Sequence, residues 1–219
     1  MDLGIDRLLV AAGEPVASEL PDRMALPAGQ LFDQLYEVLS RRNGFYAVES
    51  ALHVFGMGSP MDRAEHSICR WNDPDLWVGE YGHLADGLYF FAEDVFGAQF
   101  AISGDAIVSF DPESGRTEPA ARDVNEWANA IITDYPTLTG WPLARAWQET
   151  HGSIPVGHRL VPRLPFALGG EFELDNLVLR ESVAGMRFRA ELARQMDGIP
   201  DGTQVRITVV GNEGSEATA

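Results

Sequence analysis

The sequence predicts an α+β fold, an antiparallel β-sheet with helices packed against it. Three observations carry that expectation. Three short runs rich in β-branched and aromatic residues, 88–92, 99–103 and 106–110, are separated by turn chemistry at Asp94…Gly97, Ser103-Gly104-Asp105 and Asp111-Pro112…Gly115. Apolar residues recur at helical spacing on both sides of this stretch. A three-stranded meander with one apolar face is not stable alone, so the flanking helices must cover it.

Taken in order, residues 1–23 hold five acids, two arginines and scattered apolar positions; Leu8, Leu9 and Val10 suit a short helical turn, and the segment reads as a loosely attached arm. A helix is expected over 28–42: Leu31, Phe32, Leu35, Val38 and Leu39 share a face, Arg41 and Arg42 suit the negative end of the dipole, and Asn43-Gly44 stops it. Short strands follow at 45–48 and 51–55. Ser59-Pro60 opens a second helix with Met61, Ala64, Ile68 and Trp71 on one face, ended by Asn72-Asp73-Pro74. Trp77, Tyr81 and Leu84 lie in an irregular connector leading to the meander.

After the meander, Asp123 and Glu126 have capping-box spacing. Val124, Trp127, Ala128, Ile131 and Ile132 form the buried stripe of a third helix, with Pro136 as its stop. Residues 137–170, rich in Pro and Gly, read as a partly extended excursion. Phe172 and Leu174 suggest a strand. Val183, Met186, Ala190 and Ala193 mark a fourth helix whose other face carries Arg187, Arg189 and Arg194. A turn at Pro200-Asp201-Gly202 leads to a last strand over 204–209, and 211–219 is small, polar and expected to be disordered. The organisation expected is an arm (1–23), a main domain (24–140), an α/β C-terminal extension packed on it (141–210) and a tail (211–219).

The formal charge of the 219 residues is −17, and all 16 basic residues are arginine. Phosphate contacts need cations, so this balance argues against binding to nucleic acid or anionic lipid; it fits a solvated surface or a basic partner. Residues 24–140 hold 18 acids against 6 arginines and residues 141–219 hold 10 against 8, so the acidity belongs to the first region. The single cysteine, Cys69, excludes an intrachain disulfide, and the chain shows neither a membrane-length apolar run nor a basic-then-apolar leader; a cytoplasmic location is the simple expectation.

No phosphate-binding glycine loop, nucleophile elbow or helical histidine pair with metal-ligand spacing is present. Glu93-Asp94 with His83 upstream has the groups for acid–base chemistry, but adjacent acids at a strand end read better as a solvated turn. Asp105, Asp111 and Glu113 fail the calcium-loop spacing and read as turn caps. His66 and Cys69 are an i, i+3 pair, with a half-buried core thiol the plainer reading. His151 and His158 flank a Gly/Pro loop and read as surface residues. Trp77 and Tyr81 stand among Asp73, Asp75, Glu80 and Asp86. Aromatics ringed by acids suit a hot spot for a basic partner, and equally a connector whose rings pack inward.

The helix ending at Asn43-Gly44, followed by Ala51-Leu52-His53-Val54-Phe55, resembles the opening of the SUKH superfamily, which includes a fungal regulator of cell-wall synthesis and many bacterial immunity proteins. The run from Leu88 to Gly97, LYFFAEDVFG, resembles its central signature, and Ile107-Val108-Ser109-Phe110-Asp111 with Gly115 and the Trp127 helix continues the match over residues 26–135. Arg159-Leu160-Val161-Pro162, Pro165-Phe166…Gly169-Gly170, Asn176-Leu177 and Ile199-Pro200-Asp201-Gly202 look like an extension found on some bacterial members. The resemblance implies a SUKH-like α+β fold without catalytic residues, cofactor or metal, and a protein that binds and blocks a polymorphic toxin, often a basic nuclease. The partner-facing set expected is Asp73, Asp75, Trp77, Glu80, Tyr81, Asp86, Glu93 and Asp94. A regulatory adaptor of the cell-wall type is the alternative. An enzyme would require a pocket with two perturbed titratable groups, sought first near His83, Glu93 and Asp94.

Overall fold

The computed structural model describes residues 3–58 and 67–199. Its centre is a six-stranded antiparallel sheet in strict sequence order: β1 (Phe45–Ala47), β2 (Leu52–Val54), β3 (Leu88–Asp94), β4 (Gln99–Ser103), β5 (Ala106–Phe110) and β6 (Thr117–Ala121). With helices on both faces, this is an α+β fold. The three runs of the meander form β3, β4 and β5; β3 reaches two residues beyond its expected end, and a register shift lies between Phe90 and Ala92.

One face of the sheet is covered by α1 (Leu3–Ala11), α2 (Gln30–Arg41) and α5 (Val124–Thr133). Phe91 and Phe100 both meet the Trp127 ring edge-on, and Phe32 does the same to Tyr89. The loosely attached arm is therefore a misreading: Ile5, Leu8 and Leu9 are buried in the main core, worth roughly 1.5–3 kcal/mol each. A Cβ on Gly4 would fall 2.3 Å from the Asn125 carbonyl oxygen, so only glycine lets α1 pack so closely on α5.

The opposite face is covered by α3 (Ile68–Trp71), a π-type turn at Pro74–Val78, α4 (Gly79–Tyr81) and α8 (Ser182–Met196). Trp71, Trp77, Tyr81, Phe90 and Phe110 form a chain of ring contacts here, so the connector's aromatics pack inward. The start of the second expected helix, with His66, lies outside the described residues, as do the last strand and the tail.

The C-terminal part departs most from expectation. α5 does stop ahead of Pro136, but helical structure resumes at once: Pro136 sits in the first turn of α6 (Tyr135–Thr139), and Pro142 does the same in α7 (Trp141–His151). A proline there forfeits only an amide that has no helical acceptor. Residues 137–170 are thus largely helix plus β7 (His158–Pro162), which pairs with β8 (Leu177–Glu181) as a separate hairpin. Phe172 and Leu174 are not in a strand; they belong to the loop before β8. The β1–β2, β3–β4 and β5–β6 turns share one end of the sheet, and the extension closes on that end. Leu160 N donates to Val95 O at 2.8 Å, Gln148 Nε2 donates to Glu49 O at 2.8 Å, and Ala51, Val95, Ala144, Trp147 and Leu160 share a second core.

Candidate functional site

The β3–β4 turn is built on Asp94, whose Oδ1 accepts from the amides of Phe96 and Ala98, both at 2.8 Å, with Gly97 at φ +80° completing the reversal. The β5–β6 turn repeats the device: Asp111 Oδ1 accepts from Glu113 N at 2.9 Å. Below them, the Tyr81 hydroxyl lies 2.9 Å from Pro112 O and 3.1 Å from Met186 O, within reach of both the second turn and α8. Arg189 of α8 donates to Phe96 O at 2.7 Å and to Gly185 O at 3.0 Å. A Cβ on Gly97 would lie 2.6 Å from this guanidinium, so a larger residue there would push Arg189 aside as well as strain the turn.

Loop 166–172 closes the fourth side and leaves a hollow of about 250 Å³. Phe96, Phe166 and Phe172 form its apolar wall: Phe166 and Phe172 stack at 3.9 Å, and Phe96 stands edge-on to both. Asp94, Asp111, Glu113 and Arg189 supply the charge. Glu113 is only 3 % exposed; its Oε2 accepts from Ala167 N at 2.8 Å, while Oε1 is buried with no hydrogen-bond partner. Burial raises the Glu113 carboxyl above its usual range, against the Ala167 amide and the Arg189 charge. Burial also lifts Asp94 to about 7, against its two turn amides and the nearby Arg159 and Arg189. Such a set can hold a cationic group, or exchange a proton with a bound molecule near neutral pH.

Beside the hollow, His53, Glu93 and Gln99 stand directly opposite one another across β2, β3 and β4. Glu93 Oε1 lies 3.2 Å from His53 Nδ1 and 2.9 Å from Arg159 Nε of β7, all three side chains being buried. Gln99 donates to Glu93 Oε2 and Gly97 O and accepts from Trp71 Nε1. Burial pushes the Glu93 carboxyl up, but the Arg159 charge and the His53 contact outweigh it and hold the group below its ordinary value. This network ties the extension to the sheet.

Several of the expected partner-facing residues therefore do not face a partner. Trp77, Tyr81 and Glu93 are buried, because rings and network claim them, and Asp94 is spent on its turn. The solvated-turn reading of Glu93-Asp94 fails for the same reason. Asp75 and Asp86 are exposed. Asp73 pairs with Arg70, and Glu80 with Arg187 of α8, so the face carrying Arg187 and Arg194 neutralises part of the acidic patch. Arg189 was expected on that exposed face and is buried. His83 is on the surface beside Asp197, 3.1 Å away, and does not join Glu93 and Asp94. Cys69 is exposed rather than half-buried. Asp111 is a turn cap as expected, whereas Glu113, read the same way, faces the hollow.

Among the described residues, no group of three or more His, Cys, Asp or Glu side chains is placed to hold a metal ion, and no helix is long and apolar enough to cross a membrane. No protein-family model matches the chain, and no curated protein matches it. Among solved structures, the chain is similar to the crystal structure of Atu4351 from Agrobacterium tumefaciens, with a TM-score of 0.55 and 14% identity over 85% of this chain and 88% of that one. At that identity the likeness establishes a shared fold and nothing more.

Proposed function

We infer that this chain is a non-enzymatic immunity protein of the cytoplasm, related to the SUKH group, that binds a basic toxin domain and blocks it. The observation that carries the reading is the surplus of surface acid. The net charge is −17, and Arg23, Arg41, Arg122, Arg145, Arg187 and Arg194 are each paired with an acid of this same chain. Exposed acids outside those pairs, among them Asp86, Asp105, Glu171 and Glu173, leave a field that attracts a cationic protein and speeds its docking. The buried His53–Glu93–Arg159 set supports the same reading, because groups closed off from solvent cannot meet a substrate. A second reading, acid–base catalysis, draws on Asp94 and Glu113 in the hollow; against it, the Asp94 carboxyl is occupied by its own turn.

Co-expression with toxin domains encoded beside the gene tests the proposal. Restored growth and a co-purifying complex are expected. Unrelieved toxicity with each neighbouring toxin, despite soluble folded protein, overturns it. A deletion phenotype in the absence of any toxin would favour the regulatory adaptor instead.

A further inference from the structure

We propose that the hollow between the β3–β4 turn, the β5–β6 turn, α8 and loop 166–172 is a receptor for one arginine side chain presented by the partner protein. The proposal rests on the binding reading above and names the contact.

Four features select this occupant. The cavity, about 250 Å³, is of the size of one long side chain and too small for a secondary-structure element. Even with Asp94 Oδ1 held by its turn, the carboxyl groups of Asp94, Asp111 and Glu113 outnumber the one guanidinium in the lining, and Arg189 gives donors to the backbone carbonyls of Phe96 and Gly185. Glu113 is 3 % exposed and burial penalises its carboxylate, so a cation in the hollow relieves the cost of keeping that charge out of water. The Phe166–Phe172 stack supplies the flat apolar surface on which a planar guanidinium lies, and Phe172 is 61 % exposed at the mouth between the exposed Glu171 and Glu173. A lysine would meet the carboxyls as a point charge and use the stacked rings less well. The occupant is a protein side chain rather than a free cation because the opening is framed by the acidic surface that draws in a basic partner.

The full chain is titrated with N-acetyl-arginine amide, N-acetyl-lysine amide and the uncharged N-acetyl-citrulline amide, with backbone amide shifts read by NMR. Saturable shifts at Gly97, Ala98 and Ala167 are expected with the arginine probe, weaker by about fivefold or more with lysine and absent with citrulline. Glu113→Gln keeps an acceptor for the Ala167 amide, and Phe172→Ala removes an exposed ring, so both variants should fold; each should weaken the arginine response by about fivefold or more. Equal response to citrulline, or none at these amides, overturns the receptor. If neutralisation of a neighbouring toxin survives both variants, the binding function stands and this contact falls. If arginine binds here but no neighbouring toxin is blocked, the functional reading falls and the receptor stands.

Discussion

Glu93 and Asp94 are adjacent in β3 and both buried, yet their carboxyl groups are pushed in opposite directions. Glu93 meets Arg159 and His53 and is held below the ordinary carboxylate range; Asp94 has only its turn amides and more distant arginines, and burial lifts it to about 7. The difference follows from the partners that neighbouring elements supply.

The pair contributes to the pH dependence of stability with opposite signs. Asp94 binds its proton more tightly folded than unfolded, so its contribution is full below the ordinary aspartate value and is lost as pH rises towards about 7. Glu93 contributes above its ordinary value and loses that contribution as pH falls through its lowered one. Asp94→Asn keeps the acceptor for Phe96 N and Ala98 N and removes the ionisation. Urea denaturation should show this variant gaining on the parent between pH 5 and pH 8 by on the order of 1–3 kcal/mol. Parallel stability–pH curves would remove Asp94 as the titrating group.

Arg159→Met leaves Glu93 buried beside His53 without its arginine. The expected cost is about 3–5 kcal/mol. Adding Glu93→Gln should recover much of that loss, because the uncompensated charge is gone. A double-mutant cycle in urea measures the coupling; additive losses would mean that the two residues act separately.

Gly4→Ala forces a methyl group against the Asn125 carbonyl oxygen, 2.3 Å from the ideal Cβ position. A loss of about 1–3 kcal/mol is expected as α1 shifts on α5. Val10→Ala, on the exposed side of the same helix, should leave the melting temperature within a degree or two of the parent. A neutral Gly4→Ala would return residues 1–23 to the status of a dispensable arm.

The meander was legible because its turns are marked by Asp94, Gly97, Gly104 and Asp111 and because each strand alternates or is continuously apolar. β6 was not, since Glu118 and Pro119 break the strand pattern; an edge strand tolerates a proline that a central one does not. Pro136 and Pro142 concealed α6 and α7 because proline's meaning depends on whether it falls in a first turn. The hollow was the least legible feature. Glu113 follows a proline in a turn and looks solvated until Ala167, more than 50 residues later, brings an amide to it. Trp77 and Tyr81 misled for the converse reason: acids precede and follow them in sequence, but their rings turn to Trp71, Phe90 and Phe110.

Stopped-flow mixing with a basic toxin domain encoded beside the gene, at NaCl from about 0.05 to 0.5 M, tests most directly whether this chain acts through its negative surface. A saturable complex is expected, its association rate falling about tenfold or more across that range while dissociation changes little. Absence of a complex, or association indifferent to salt, would contradict it.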